Sequence, residues 1–428
     1  MKRYAPFVLS MLMLALIGDL TYAITSQEAK KLPSTQPQTE PAPKAVKCWV
    51  TAVQPKPLSP NVRRGLEWLV QHQHANGGWG QGEESQNMGQ GMARLAAKPN
   101  VADTCTATLA LIRSGSTPSE GSYAQSIHRG LDFIFSQIEA ADEKSLSITS
   151  VNGTRVQGKL GPHIDTFMAS IVLAEVKGHM PNEASEKRLF AALDKVLNKI
   201  EINQKDDGTW GNQGWAPILA QSMAAKGLSR AGQVGFRVNE EILAKSEAQA
   251  RRQVDGAGAG FDAPGSAGIA LYAGAANLST LQDSANRNAQ RVDELEAIAK
   301  NSPDDKKRTE ARRELDRFAD AEVARQQIQQ SIVGRLEDKQ FMAGFGSNGG
   351  EEFLSYMNIG ESLVVKGGDD WAKWDGGITQ NLNRIQNADG SWSGHHCITG
   401  KTFCTSTALL SLMVDRTPVP ADALTKAD

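Results

Sequence analysis

Two hydrophobic patterns alternate along most of this chain. In the first, apolar residues recur every three to four positions with charged residues between them, the signature of a helix with one buried face. It recurs at about 60–74, 124–139, 185–202, 239–253, 320–336 and 373–386. In the second, small and apolar residues run nearly all round, as in Thr106-Ala107-Thr108-Leu109-Ala110-Leu111, Ala216 to Ala225 and Thr405 to Met413. A helix without a polar face must be covered on most sides. Such segments fall at about 103–114, 164–177, 215–230, 265–279, 351–365 and 404–414. The alternation predicts six amphipathic outer helices, each paired with an inner one.

The joints between them repeat. Gln, three residues, Gly, one residue, Trp occurs at Gln73-Gly77-Trp79, Gln204-Gly208-Trp210 and Gln386-Gly390-Trp392. Composition alone yields roughly 0.05 such matches in a chain of this length, so the pattern is an internal repeat. Gly260-Phe261 and Gly344-Phe345-Gly346 are worn versions of the turn in the fourth and fifth units. The fold class these features predict is all-α, an (α/α)6 toroid over 59–418. Closure of the ring removes the ends that an open solenoid must cap.

Four stretches fall outside the repeat. Residues 282–335 are strongly charged and broken by Ser302-Pro303-Asp304-Asp305, a turn that ends one helix and caps the next; they read as a helical hairpin inserted between units four and five. Residues 1–23 pair a basic start (Lys2, Arg3) with a short apolar run and Thr21-Tyr22-Ala23, a cleavable export signal. Residues 24–58 form a Pro-rich linker whose Cys48 and Trp49 suggest that its last part docks on the ring, and 419–428 are a C-terminal tail. The expected location is periplasmic or extracellular, with no stable membrane span after signal cleavage. A formal charge of −2 gives no electrostatic reason to bind nucleic acid.

Arg64-Gly65, Trp68-Leu69, Gln73, Gly77 and Trp79 together resemble the repeat of squalene and hopene cyclases, and Arg129-Gly130 with Phe133-Ile134 resembles its front half. The resemblance extends to the wider α/α-toroid superfamily of terpenoid cyclases and protein prenyltransferases. It implies the ring but not an activity. The Asp-x-Asp-Asp acid of protonating cyclases and the Asp-Asp-x-x-Asp of ionising ones are both absent; Asp304-Asp305 and Asp369-Asp370 read as helix starts.

The prenyltransferase branch implies a zinc site. Asp103 and Cys105 open the first inner helix, and His395-His396 precede the sixth, its neighbour in a closed ring, so these four are the candidate metal set. No cofactor is firmly implied, with zinc the one open candidate. Disulfides are the alternative use of Cys48, Cys105, Cys397 and Cys404 in an exported chain. Cys105 and Cys404 head near-identical segments on neighbouring helices, whereas Cys397 could close a short loop with Cys404 and leave Cys48 for Cys105. Free thiols remain a third account.

His163, Asp165, Trp215 and Tyr356 lie near inner-helix starts, where side chains can line a cavity. The expected function is a toroid that binds an apolar or polymeric ligand, an isoprenoid or glycan, or an envelope protein in its central cavity. The alternative is an enzyme: isoprenoid-processing, a zinc-dependent transferase, or a polysaccharide lyase using His163 or His395 as base.

Overall fold

Ser59 accepts a hydrogen bond from the Val62 amide at 3.2 Å, and Pro60 supplies a preset φ at the first helical position, so the ring begins abruptly there. The computed structural model describes residues 49–84, 98–257, 263–346 and 348–425. The signal segment, the linker as far as Cys48 and the Gly260-Phe261 turn lie outside the described residues.

The outer helices are α1 (Pro60–Gln71), α3 (Ala124–Ala140), α6 (Glu183–Ile202), α8 (Glu240–Ala257), α11 (Asp305–Val333) and α14 (Gly368–Ile385). The inner helices are α2 (Val101–Arg113), α5 (Ile164–Val176), α7 (Pro217–Gln233), α9 (Ala270–Asn288), α13 (Gly350–Lys366) and α15 (Lys401–Leu412). Each inner helix packs on the next, and α15 packs back on α2, which closes the ring. Short helices α4 (Arg155–Leu160), α10 (Val292–Asn301), α12 (Lys339–Met342) and α16 (Ala421–Thr425) complete the described set.

The three Gln-Gly-Trp turns share one geometry. Each Gln side chain donates to the carbonyl of its own Gly: Gln73 to Gly77 at 2.8 Å, Gln204 to Gly208 at 3.2 Å, Gln386 to Gly390 at 2.8 Å. The same nitrogen also reaches the following outer helix, at the carbonyls of Ser126, Ile242 and Asn61, the last of these on α1. Each indole N–H donates to a carbonyl of the preceding outer helix, from Trp79 to Leu69, Trp210 to Ile200 and Trp392 to Leu382. The turn is thus a plug between neighbouring outer helices. Glycine is required because φ is +88°, +87° and +91° at the three positions. Arg-Gly on the outer helix completes the fit: a Cβ at Gly65 would stand 2.7 Å from the Trp392 ring.

Gly390 joins the last unit to the first, and a Cβ there would lie 2.8 Å from the Arg64 carbonyl. Gly390→Ala should therefore cost about 2 kcal/mol through backbone strain, read as a lowered urea midpoint at unchanged slope. An unchanged midpoint would show that the turn tolerates a side chain and does not lock the ring.

The insertion differs from expectation at both ends. Helix α9 continues to Asn288 because Asp283 is buried against Lys226 of the ring, 3.3 Å away. The fifth outer helix starts at Asp305, because the second hairpin arm and the outer helix are one continuous α11, anchored by buried Ile328 and Ile332. Asp304 caps it, accepting from the Lys306 amide at 2.9 Å. The hairpin proper is therefore α10, which buries no residue of its own, against the first turns of α11.

The segment 419–428 is not a free tail. Pro418–Pro420 (β2) pairs antiparallel with Trp49–Thr51 (β1), and Val419 and Ala423 are buried. The end of the linker docks through that pairing, as Trp49 suggested. No helix among the described residues is long and apolar enough to cross a membrane.

Candidate functional site

Every inner helix follows an outer helix and a reversal, so the six inner N-termini gather at one mouth of the ring and the six C-termini at the other. The C-terminal mouth is sealed by charge. Arg113 of α2 grips Glu175 of α5 with two hydrogen bonds of 2.7 Å and reaches Glu361 of α13 at 3.1 Å. Lys226 of α7 lies 2.7 Å from Glu361, and Arg230 contacts both Glu361 and Glu175. With Asp283 of α9, three cations meet three carboxylates from five inner helices. Burial alone would raise the Glu361 pKa, but Lys226, Arg230 and Arg113 outweigh it and hold the carboxyl well below its ordinary range.

Below that seal methionines and aliphatic side chains pack closely. Met168, Met223 and Met357 meet Leu109, Ile171 and Leu410 around a void of about 10 Å³, little more than one water. Methionine, unbranched and adaptable, fills such irregular centres well.

The N-terminal mouth has a different chemistry. Glu351 and Glu352 open α13, Asp103 opens α2 and Asp165 opens α5, all at the buried edge of the ring. Burial, reinforced by Glu352, pushes Glu351 up to about 8. Burial raises Glu352 to about 7, Asp103 to about 7 and Asp165 to about 6. Near neutral pH Glu351 is therefore largely a carboxylic acid and Glu352 and Asp103 share the two forms, so these three can donate a proton or a hydrogen bond, whereas Asp165 is mostly ionised.

For three of the four, hydrogen bonding is half complete among the described residues. Glu351 Oε2 accepts from the Ile398 amide at 3.1 Å, while its Oε1 has no protein partner. Glu352 Oε1 accepts from the Tyr272 hydroxyl and the Phe345 amide, while Oε2 has none. Asp103 Oδ2 accepts from Asn100 Nδ2 at 2.6 Å, and Oδ1 is left over. Aromatic rings stand around these acids: Trp215 meets Tyr272 and Phe345 edge to face at 6.0 and 4.9 Å, and Lys159 sits 5.2 Å from the Trp215 ring centre.

The worn fifth turn explains part of this arrangement. Gly344-Phe345 turns inward and wraps Glu352, and a Cβ at Gly344, where φ is +58°, would stand 2.5 Å from its Oε1. Cys397 takes a left-handed φ of +59° beside the same acids, an uncommon backbone state for a residue with a Cβ.

The expected site residues divide. Asp165 is at the mouth, but its carboxyl caps the neighbouring helix, accepting from the Ala102 amide at 3.0 Å and from Gln157 at 2.8 Å. His163 is half-buried, 3.4 Å from Ser147, and burial lowers its pKa. Trp215 is at the mouth. Tyr356 is not: its hydroxyl donates to the Met342 carbonyl on the outer side of α13.

The expected zinc set does not assemble. Among the described residues no three His, Cys, Asp or Glu side chains are placed to hold a metal ion, and His395 faces solvent. Cys105, Cys397 and Cys404 are free thiols, with Cys404 Sγ turned to the Ile398 carbonyl at 3.3 Å; Cys48 lies outside the described residues. Cys105 and Cys404 are also not equivalent. The Trp79 amide donates to Thr104 and the Trp392 amide to Thr405, both at 2.9 Å, so Cys404 corresponds to Asp103 and the cysteines are two positions out of step.

A closed ring of six helix pairs, plugged at three joints by Gln-Gly-Trp turns and carrying buried acids at its inner-helix starts, defines a terpenoid-cyclase-like α/α-toroid. Residues 43–151 match the family model of the squalene-hopene cyclase C-terminal domain, a span that holds the first plug. Neither a curated protein nor a solved structure matches the chain.

Proposed function

We propose that this toroid is an exported binding module, taking an apolar, oxygen-bearing ligand of isoprenoid type at its N-terminal mouth. The reading rests on one contrast. The void that Met168, Met223 and Met357 line has room for about one water, far less than a folded polyisoprenoid needs, whereas Glu351, Glu352 and Asp103 keep buried carboxyl oxygens without partners among the described residues. A protonated carboxyl donates to a hydroxyl or carbonyl oxygen, and Trp215 and Phe345 offer apolar faces beside it. A second reading, acid-initiated isoprenoid chemistry, is favoured by the four raised carboxyl pKa values, which suit a general acid near neutral pH.

Calorimetric titration with farnesol and with the hydrocarbon farnesene, at pH 6 and pH 9, separates these. Binding predicts that farnesol binds at pH 6, loses about tenfold in affinity by pH 9 as the donors ionise, and is lost in Trp215→Ala. Farnesene should show no pH dependence. Equal farnesol affinity at both pH values, or none at either, would defeat the binding reading. New products by gas chromatography after incubation would establish the enzyme instead.

A further inference from the structure

The inward fifth turn leaves its own joint without a plug. Where Gln-Gly-Trp turns fill the gap between successive outer helices, the joint between α11 and α14 instead holds an open groove of about 830 Å³. Its floor is apolar: Trp374, Ile378 and Tyr356 are nearly buried, with Met342 and Leu336 beside them. Its rim is basic. Lys339, Lys373 and Arg384 border it against a single lining acid, Glu337, which pairs with Lys373 at 2.8 Å.

An independent feature marks the same place. Gly376 and Gly377 lie in the middle of α14, where glycine is the least favourable residue after proline. At Gly65, Gly130, Gly227 and Gly360 a close neighbour excludes a Cβ, but at Gly376 and Gly377 nothing stands within 4 Å. The helix forgoes a better residue with no packing reason, and the result is a bare helix face at Gly377 lining the groove.

The geometry points to a binding site for a small amphiphilic organic anion, its apolar body on Trp374, Ile378 and Met342 and its acidic group at Lys339 and Arg384. The volume suits a ligand of drug-like size, and two rim cations with no acidic partner among the described residues select an anion over a neutral analogue. This site is separate from the mouth and independent of what the mouth binds.

The test uses 8-anilinonaphthalene-1-sulfonate, an aromatic anion that fluoresces in apolar surroundings, with the full ring. Saturable one-site binding is expected, displaced by dodecanoate and at least tenfold less by dodecanol. Gly377→Leu should fill the groove and abolish binding while leaving the melting temperature equal or higher. The double variant Lys339→Gln/Arg384→Gln should weaken binding about tenfold with the fold intact. No binding, binding unchanged in Gly377→Leu, or displacement by dodecanol as effective as by dodecanoate would each overturn the proposal.

Discussion

Glu361→Gln is expected to lower the unfolding free energy by about 3–5 kcal/mol, the usual result of removing one partner from a buried ion cluster. Glu361 is the hub, in contact with Arg113, Lys226 and Arg230, and its loss leaves three buried cations facing only Glu175 and Asp283. The amide keeps the shape, so the effect isolates charge. Urea unfolding followed by circular dichroism should show an earlier midpoint at unchanged slope. The double variant Lys226→Met/Glu361→Leu should recover part of the loss, since apolar residues of similar volume often replace a buried pair at little cost. A single variant within about 1 kcal/mol of the parent would mean that water reaches the cluster and the C-terminal mouth is not sealed.

How far the sequence foretold this molecule depends on whether a residue's task is local. The Gln-Gly-Trp turns were legible because each residue acts within its own turn: Gln on the Gly carbonyl, Gly at positive φ, Trp on its own helix. The inner and outer helices were legible from polarity alone. The ion cluster was missed, although it left a trace: single charged residues near the C-terminal ends of otherwise apolar helices, as Glu175 after Ile171-Val172-Leu173-Ala174. Glu351 and Glu352 were missed because acids in a helix's first turn are ordinary. Only the ring shows that theirs is a buried edge. The equivalence of Cys105 and Cys404 failed on register, since neighbouring helices can be aligned by likeness of letters yet stand two positions out of step, which turns a side chain through about 200°. The fifth turn was read as worn; its glycines in fact serve Glu352, and the outer groove is the consequence.

The mouth acids predict an unusual pH dependence. Glu351, Glu352, Asp103 and Asp165 all bind protons more tightly in the folded chain than unfolded. Between pH 5 and pH 8.5 the unfolded state therefore carries fewer protons, and stability falls as pH rises. Glu361 acts in the opposite sense, but its contribution is lost only on acidification below the ordinary glutamate range, outside this window. Glu351, raised from 4.5 to about 8, should contribute most. Its substitution by Gln, which stays neutral, should leave stability unchanged at pH 4 and raise it by about 3 kcal/mol at pH 9. That figure is a conservative fraction of the full effect, given that each tenfold gain in proton affinity on folding carries roughly 1.4 kcal/mol. Urea midpoints for the parent and Glu351→Gln at pH 4, 7 and 9 should thus coincide at the lowest pH and diverge above it. Parallel curves would mean that Glu351 is already ionised at neutral pH. The mouth would then offer an anion in place of a donor, and the expected pH dependence of farnesol binding would lose its physical basis.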